Sequence, residues 1–190
     1  ADEFIAQQLA RYPDNAMLQE LSIDWIDKGD YQAQADAYRQ FIQHHPTNAW
    51  GYRGLADALC NLDLYDEALA AAEEAIAVAS NSSASHYYNG KVLLAKQQYA
   101  AARHSFRKAI ALSCDYTYAY DPLLQCGFNH ATQQEDLRFI YEQLMAQVSY
   151  GDGLLAYQRI AGTLLANDEI LRFLEHALEV RPDLWHAWVA

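Results

Sequence analysis

Glycine and proline are scarce in this chain, with 8 Gly and 4 Pro among 190 residues. Strands that are joined by tight turns usually carry such residues at their turns, so the low count disfavours a β-sandwich or a β-barrel. Ala, Leu, Gln and Glu, which favour helices, are abundant instead. The composition therefore predicts an all-α protein whose helices are joined by short turns.

Basic residues and long apolar runs are also few. The 13 Lys and Arg residues stand against 25 Asp and Glu residues, and the resulting net charge of -12 at pH 7 repels the phosphates of nucleic acid. No apolar run approaches the ~20 residues that cross a bilayer. The N-terminal residues Ala1 to Phe4 lack the basic flank and the apolar core of a signal peptide. We therefore expect neither nucleic acid nor a membrane as a partner.

Cysteine is limited to Cys60, Cys114 and Cys126, an odd number with no Cys-x-x-Cys spacing. A disulfide framework needs pairs of cysteines, and a zinc knuckle needs closely spaced ones. We expect reduced thiols packed in the core, which favours a reducing compartment and a cytoplasmic location. A chain without an initiator Met is also consistent with a removed signal peptide, and this alternative stays open.

Catalytic and metal-binding motifs are missing as well. The sequence contains no His-Glu-x-x-His, Gly-x-Ser-x-Gly or Gly-x-x-x-x-Gly-Lys motif. His44 and His45 are adjacent, so on a helix they point about 100° apart and cannot chelate a metal as an i,i+4 pair can. Acidic pairs such as Glu73-Glu74 fit exposed helix faces. We therefore expect no catalytic residues, no cofactor and no metal site.

What the sequence does contain is a repeat. Segments 49–82 and 83–116 align without a gap at an offset of 34 residues. The aligned positions are Tyr52, Leu55, Ala56, Leu59, Tyr65, Ala68, Ala72 and Ala75 in the first segment, and His86, Asn89, Gly90, Leu93, Tyr99, Ala102, Phe106 and Ala109 in the second. Spacings of three and four residues place each half of this set on one helical face. Each segment therefore predicts two helices that need a neighbouring repeat to bury their apolar faces.

At this period the pattern resembles the tetratricopeptide repeat (TPR). The resemblance extends backwards to Gly29 and Pro46 and forwards to Pro182, which lies four periods after Pro46. It implies an all-α, right-handed superhelical α-solenoid of helix-turn-helix repeats, with about five units and incomplete units at both ends. The implied units of this single domain, 1–190, are 1–14 (partial), 15–48, 49–82, 83–116, 117–150, 151–184 and 185–190 (partial).

The last two full units depart from the repeat pattern. In 117–150, Asp136 replaces the small residue of the second helix, and Pro122 stands inside the first. We expect that first helix to begin late, with Asp121 as its cap and Pro122 as its first residue. In 151–184, Tyr157 and Gln158 replace the Leu-Gly pair of the family.

In TPR proteins the first helices of successive units line a concave groove that holds peptides. By this resemblance, the second, fifth, ninth and twelfth residues of each unit face the groove, and these spacings define one helical stripe. The predicted binding residues are Trp50, Arg53, Asp57, Tyr87, Lys91, Tyr118, Gln125, Phe128 and Arg159. Ile23, Ile26 and Asp121 share the same stripe. Aromatic rings interleaved with single cations would suit a peptide with an apolar anchor and an acidic group. The alternative is that the rings only complete the packing between repeats.

Three functions follow as hypotheses. The first is a scaffold or adaptor for protein-protein interaction, which binds a peptide or a partner protein in the groove. The second is a non-catalytic, substrate-docking arm of a larger multidomain enzyme. The third is self-association through the end helices, residues 4–9 and 185–188.

Overall fold

The computed structural model describes residues 2–149 and 151–182, with side chains from Glu3 onward. Within these ranges the chain forms eleven α-helices and one 3-10 helix, with no strand. The helices group into two compact units, Ala1–Ser80 and Asn81–Ala190. The boundary follows Ser80, two residues before the predicted end of a repeat at residue 82. The single domain over 1–190 stays a prediction. The predicted partial unit 185–190 lies outside the described residues.

Unit 1 contains five helices. They are α1 (Asp2–Arg11), α2 (Ala16–Asp24), α3 (Tyr31–His44), α4 (Ala49–Asn61) and α5 (Tyr65–Val78). Side-chain caps begin three of them: Asn15, Asp30 and Asn48 each accept a 3.0 Å hydrogen bond from a backbone N–H of the helix that follows. Such caps satisfy amides that would otherwise have no partner at a helix start. Helix α4 packs against both α3 and α5.

The described part of unit 2 contains six α-helices and the 3-10 helix. They are α6 (Ser83–Ala95), α7 (Tyr99–Leu112), the 3-10 helix Thr117–Ala119, α8 (Tyr120–Gln125), α9 (His130–Ala146), α10 (Asp152–Ala161) and α11 (Asn167–Val180). Helix α7 packs against α6, α8 and α9, and α10 packs against α8 and α9. Among the described residues, two α-helices therefore lie in each of the predicted segments 15–48, 49–82, 83–116, 117–150 and 151–184, and the 3-10 helix is an addition in 117–150.

The 34-residue period is visible in the turns as well as in the helices. The turn after α4 places Asp63 at φ 60°, and the turn after α6 places Gln97, which is 34 residues later, at φ 58°. In both turns the next residue donates its backbone N–H five residues back, Leu64 to Leu59 at 3.0 Å and Gln98 to Leu93 at 2.9 Å. This bond and the left-handed residue before it define the Schellman ending of a helix.

The helices of a pair approach closely because small residues face large ones. Gly90 on α6 is buried against Phe106 on α7, and a Cβ at Gly90 would lie 2.7 Å from the Phe106 ring. In the preceding segment the equivalent residues are Ala56 and Ala72, both fully buried. At the same helix-helix contact, one repeat therefore packs a Gly against a large ring, and the other packs two Ala residues.

The first helix of 117–150 does not begin where we predicted. Helix α8 begins at Tyr120, and Asp121 makes no capping bond. The prediction that Asp121 caps a helix beginning at Pro122 is therefore wrong by two residues. Tyr120 is fully buried, and the 3-10 helix leads directly into α8 without a side-chain cap. Pro122 lies in the first turn, where its missing N–H would have no helical partner.

Candidate functional site

In unit 1 the predicted stripe lies on α4. Trp50, Arg53 and Asp57 are all half-buried on this helix. The Trp50 ring meets two rings of α3 edge-on, with centroid distances of 5.1 Å to Tyr38 and 5.0 Å to Phe41. Edge-to-face pairs of this kind stabilise helix packing. The Trp50 ring therefore contributes to the contact between α3 and α4, and only part of it remains accessible to a ligand.

The preceding first helix, α2, offers less surface than we predicted. Ile23 occupies a stripe position but is buried in the core of unit 1, because α2 packs against both α1 and α3. Ile26, the next stripe position, lies beyond the end of α2 and lines a cavity of about 230 Å³ together with Trp25. The prediction that Ile23 faces an open groove is therefore wrong.

Unit 2 carries three tyrosines in mutual contact. The ring centroid of Tyr87 on α6 lies 5.6 Å from that of Tyr116 and 6.4 Å from that of Tyr118. The Tyr116 and Tyr118 centroids are 5.7 Å apart. The ring planes are inclined to one another by 54° to 64°, as is typical of tilted and edge-to-face aromatic pairs. We call these three residues the tyrosine triangle.

The tyrosine triangle is exposed at one corner. Tyr118 is 73% exposed, whereas Tyr87 and Tyr116 are half-buried. Tyr87 also contacts Tyr88, with ring centroids 5.3 Å apart, and the fully buried Phe106, at 6.0 Å. An exposed aromatic ring supported by packed rings is the kind of surface that forms binding hot spots.

Sequence reasoning missed Tyr116 and Tyr88. Tyr116 precedes the 3-10 helix, so a rule based on helical phase cannot place it. A signal was present in the alternating run Tyr116, Tyr118 and Tyr120, of which the last is fully buried.

Arg159, the predicted cation of α10, is already paired. Its Nη1 donates to Asp121 Oδ1 at 3.1 Å and its Nη2 donates to Asp121 Oδ2 at 2.6 Å. The hydrogen bond to Asp121 raises the pKa of the Arg159 guanidinium. Both residues belong to the predicted stripe, so this fork of two bonds joins α8 to α10 at the candidate surface. An acidic ligand group would have to compete with Asp121 for Arg159.

Lys91 and Gln125 lie on the first helices that also carry the stripe. Lys91 is half-buried on α6, four residues after Tyr87, and Gln125 is exposed as the last residue of α8. Four residues are about one helical turn, so Lys91 and Tyr87 share a face of α6.

Phe128 does not lie on a first helix. Helix α8 ends at Gln125, and Phe128 lies in the turn that leads to α9. Its ring is 72% exposed and meets the Tyr99 ring edge-on, with centroids 6.2 Å apart. The prediction that the first helix reaches Phe128 is wrong, because residues 117–119 form a 3-10 turn and α8 is only 6 residues long.

A cluster of four charged side chains links α7 to α9. Arg103 Nε donates to both carboxylate oxygens of the fully buried Asp136, at 3.0 and 2.8 Å. Arg103 and Arg107 each approach Glu135 to 3.1 Å, and Arg107 approaches Asp136 to 3.5 Å. We call these four residues the charged quartet. Its two cations and two anions cancel, which is what a buried carboxylate requires.

The electrostatics of the charged quartet agree with this structural role. Hydrogen bonds from Arg107 and Arg103 lower the pKa of Glu135. Burial raises the pKa of Asp136, while the hydrogen bond from Arg103 opposes that rise. The charged quartet therefore joins two second helices, α7 and α9, through paired charges.

Within residues 2–149 and 151–182, no three His, Cys, Asp or Glu side chains lie close enough together to hold a metal ion. In the same described part of the chain, no helix combines the length and the apolar character that crossing a bilayer requires. None of the three cysteines forms a disulfide; Cys114 and Cys126 are buried, and Cys60 is half-buried.

Comparison with known proteins identifies structures that have a similar fold. No protein-family model matches the chain, and no curated protein matches it in sequence. Solved structures do match. YrrB, described as a TPR protein with an unusual peptide-binding site, has a TM-score of 0.60 and 17% sequence identity, over 99% of this chain and 97% of its own.

Two further solved structures also resemble this chain. PilW, described as a widely conserved type IV pilus biogenesis factor, has a TM-score of 0.62 and 16% identity over 94% of this chain and 83% of its own. A thermophilic TPR protein of Thermus thermophilus has a TM-score of 0.55 and 15% identity over 90% of this chain and 93% of its own. This likeness, together with the helix pairs at a 34-residue period, shows that the chain has the all-α fold of the tetratricopeptide-repeat proteins.

Proposed function

We propose that this chain is a non-catalytic scaffold for protein-protein interaction, and that unit 2 binds a peptide segment of a partner with the tyrosine triangle as its anchor. The observation that carries the proposal is the Tyr118 ring, which is 73% exposed while it contacts Tyr87 and Tyr116. A tyrosine ring held by its neighbours offers a large contact area and loses little conformational entropy on binding.

The fold and its solved relatives support a peptide as the ligand class. YrrB is described as having a peptide-binding site. In this chain the predicted stripe of unit 2 contains Tyr118, in the 3-10 helix before α8. The other predicted members are Tyr87, Lys91, Gln125 and Arg159, which lie on α6, α8 and α10. Trp50, Arg53 and Asp57 form the corresponding stripe on α4 of unit 1.

The surface chemistry specifies the peptide further. The tyrosine triangle would take an apolar or aromatic side chain, because the contact between such rings adds to the burial of apolar area. An acidic group of the peptide would face Lys91, about one helical turn from Tyr87. At Arg159 such a group would compete with Asp121, which holds the guanidinium by two hydrogen bonds.

A peptide-display selection on the intact chain tests the proposal. Peptides enriched on the wild type are synthesised, and their Kd is measured for Tyr118→Ala and for Tyr12→Ala. Tyr12 is a matched control because it is an exposed tyrosine of unit 1, 49% accessible, outside the stripe. We expect Tyr118→Ala to weaken binding by about tenfold or more, as for a hot-spot residue, and Tyr12→Ala to leave the Kd unchanged.

Circular dichroism must show that both variants keep the helical content of the wild type. Peptides that bind wild type and folded Tyr118→Ala equally would place the binding surface elsewhere. A selection that enriches no peptide would count against a peptide ligand.

A further inference from the structure

A second candidate site lies away from the tyrosine triangle, on other residues of unit 2. Side chains of α9, α10, α11 and the turn before α11 enclose a cavity of about 200 Å³. The apolar walls come from Leu137, Leu165 and Phe173. The polar walls come from Gln134, Arg138, Tyr157 and Glu169. None of these residues belongs to the first-helix stripe.

The Tyr157 hydroxyl has no hydrogen-bond partner among the described residues, although its side chain is only 1% exposed. Leu55 and Leu123 hold the equivalent positions in two other repeats, and either would fill this space without a polar group. A buried hydroxyl without a partner is unfavourable, so it calls for an explanation. Burial raises the pKa of Tyr157, and the neutral hydroxyl is a hydrogen-bond donor at neutral pH.

The other polar side chains that line the cavity determine which ligand groups it can bind. Glu169 already accepts a hydrogen bond from the backbone N–H of Ala166 at 3.2 Å, as part of the cap of α11. Arg138 is exposed and makes no ion pair with another described residue. The Arg138 charge offsets that of Glu169, whose carboxylate already accepts from Ala166. The Tyr157 hydroxyl, the Gln134 amide and the Arg138 guanidinium are then the donors that a ligand carboxylate could use.

We propose that this cavity binds a small aromatic carboxylate. The ring would lie among Leu137, Leu165 and Phe173, and the carboxylate would accept hydrogen bonds from the Tyr157 hydroxyl and Arg138. The volume fits this class of ligand, since an apolar cavity of about 150 Å³ admits benzene. The proposal does not depend on peptide binding at the tyrosine triangle.

Benzoate is the probe, and the readout is a heteronuclear NMR titration of the whole chain. We expect saturable shifts at Leu137, Leu165 and Phe173, with a Kd of the order of millimolar, as suits so small a ligand. Tyr157→Phe and Arg138→Gln should each weaken binding by about fivefold or more, because each removes a donor to the carboxylate. Tyr99→Phe is the matched control and should leave the Kd unchanged.

Three outcomes would overturn the proposal. The first is the absence of a saturable shift with benzoate. The second is the same shifts with acetate at equal concentration, which would show an adventitious ion only. The third is a loss of stability in ligand-free Tyr157→Phe, since that would mean that the hydroxyl has a partner within the fold. Benzoate binding should persist in Tyr118→Ala, so failure at either site is distinguishable from failure at the other.

Discussion

At the scale of single residues, Asp136 is fully buried where the two preceding repeats carry Ala68 and Ala102, also fully buried. A carboxylate at this position is tolerated because Arg103 donates to both of its oxygens. We expect Arg103→Met to lower the free energy of unfolding by about 3 kcal/mol, because it leaves the buried Asp136 charge with Arg107, at 3.5 Å, as its one ion-pair partner among the described residues. Adding Asp136→Ala to Arg103→Met should recover most of the loss. Urea denaturation followed by circular dichroism measures both.

Arg172→Met is the control for this prediction. Arg172 pairs with Asp168 at 3.0 Å, but both side chains are mostly exposed, at 69% and 75%. An exposed pair contributes at most about 1 kcal/mol, so this variant should change stability little. A similar small effect for Arg103→Met would mean that the charged quartet does not stabilise α7 against α9.

The cysteines give a second prediction at this scale. Burial raises the pKa of Cys126 to about 11 and also raises the pKa of Cys114. Because the thiolate is the reactive form, these two thiols should react slowly with a disulfide reagent at pH 8. The half-buried Cys60 should react first. We expect one fast-reacting thiol in the native chain and three in guanidinium chloride, where the pKa of each returns to about 8.5.

Raising the pH tests the same assignment. Between about pH 9 and pH 11 the Cys126 thiol ionises in the unfolded chain but stays protonated in the folded one. The unfolded state then binds fewer protons, so the free energy of unfolding should fall as the pH rises through this window. Three thiols reacting rapidly in the native chain at pH 8 would contradict the buried positions of Cys114 and Cys126.

At the scale of secondary-structure elements, the turn after α6 holds one residue in an unfavourable backbone conformation that a substitution can relieve. Gln97 adopts φ 58°, a left-handed conformation that costs a residue with a Cβ about 1–2 kcal/mol. Gln97→Gly should therefore raise the free energy of unfolding by up to about 1 kcal/mol, after the larger entropy of Gly in the unfolded chain is subtracted.

Gln98 provides the matched control, since it is the next residue and has φ -87°. Gln98→Gly gains nothing from conformational freedom and should lower stability by about 0.5–1 kcal/mol. The thermal midpoints of the two variants, measured side by side, should move in opposite directions. Equal shifts would show that the turn does not hold Gln97 in the left-handed region.

The sequence was most informative about elements whose side chains repeat in phase. The alignment of 49–82 with 83–116 predicted the four helices α4 to α7, because small and large residues recur at equivalent helix contacts. It failed at α8, where a 3-10 turn leads directly into the helix at the buried Tyr120 and no side chain caps the start. Helical phase assigned Tyr118, Gln125 and Phe128 to one stripe, but Phe128 lies in the turn between α8 and α9. The roles of Tyr118 and Gln125 in binding stay predictions.

At the scale of the whole molecule, the period predicted the fold, and the candidate surface was predicted only in part. Tyr116 joins the tyrosine triangle from a segment outside any α-helix, and Arg159 is paired across helices with Asp121. Neither contact follows from a single repeat, because each depends on how neighbouring repeats pack.

The substrate-docking alternative stays a prediction. For self-association, Phe4 on α1 is 64% exposed, whereas residues 185–188 lie outside the described ranges.

The net charge of -12 leads to the last prediction, that the chain does not bind nucleic acid. Five of its basic residues are concentrated in 83–116, and they could suggest a local basic patch. Two of the five, Arg103 and Arg107, are neutralised by Glu135 and Asp136 in the charged quartet. Too few cations therefore remain for the release of counterions that drives non-specific binding. Fluorescence anisotropy of a labelled 20-base-pair duplex at about 50 mM salt should stay constant up to about 50 µM protein, whereas a Kd in the low micromolar range would refute this.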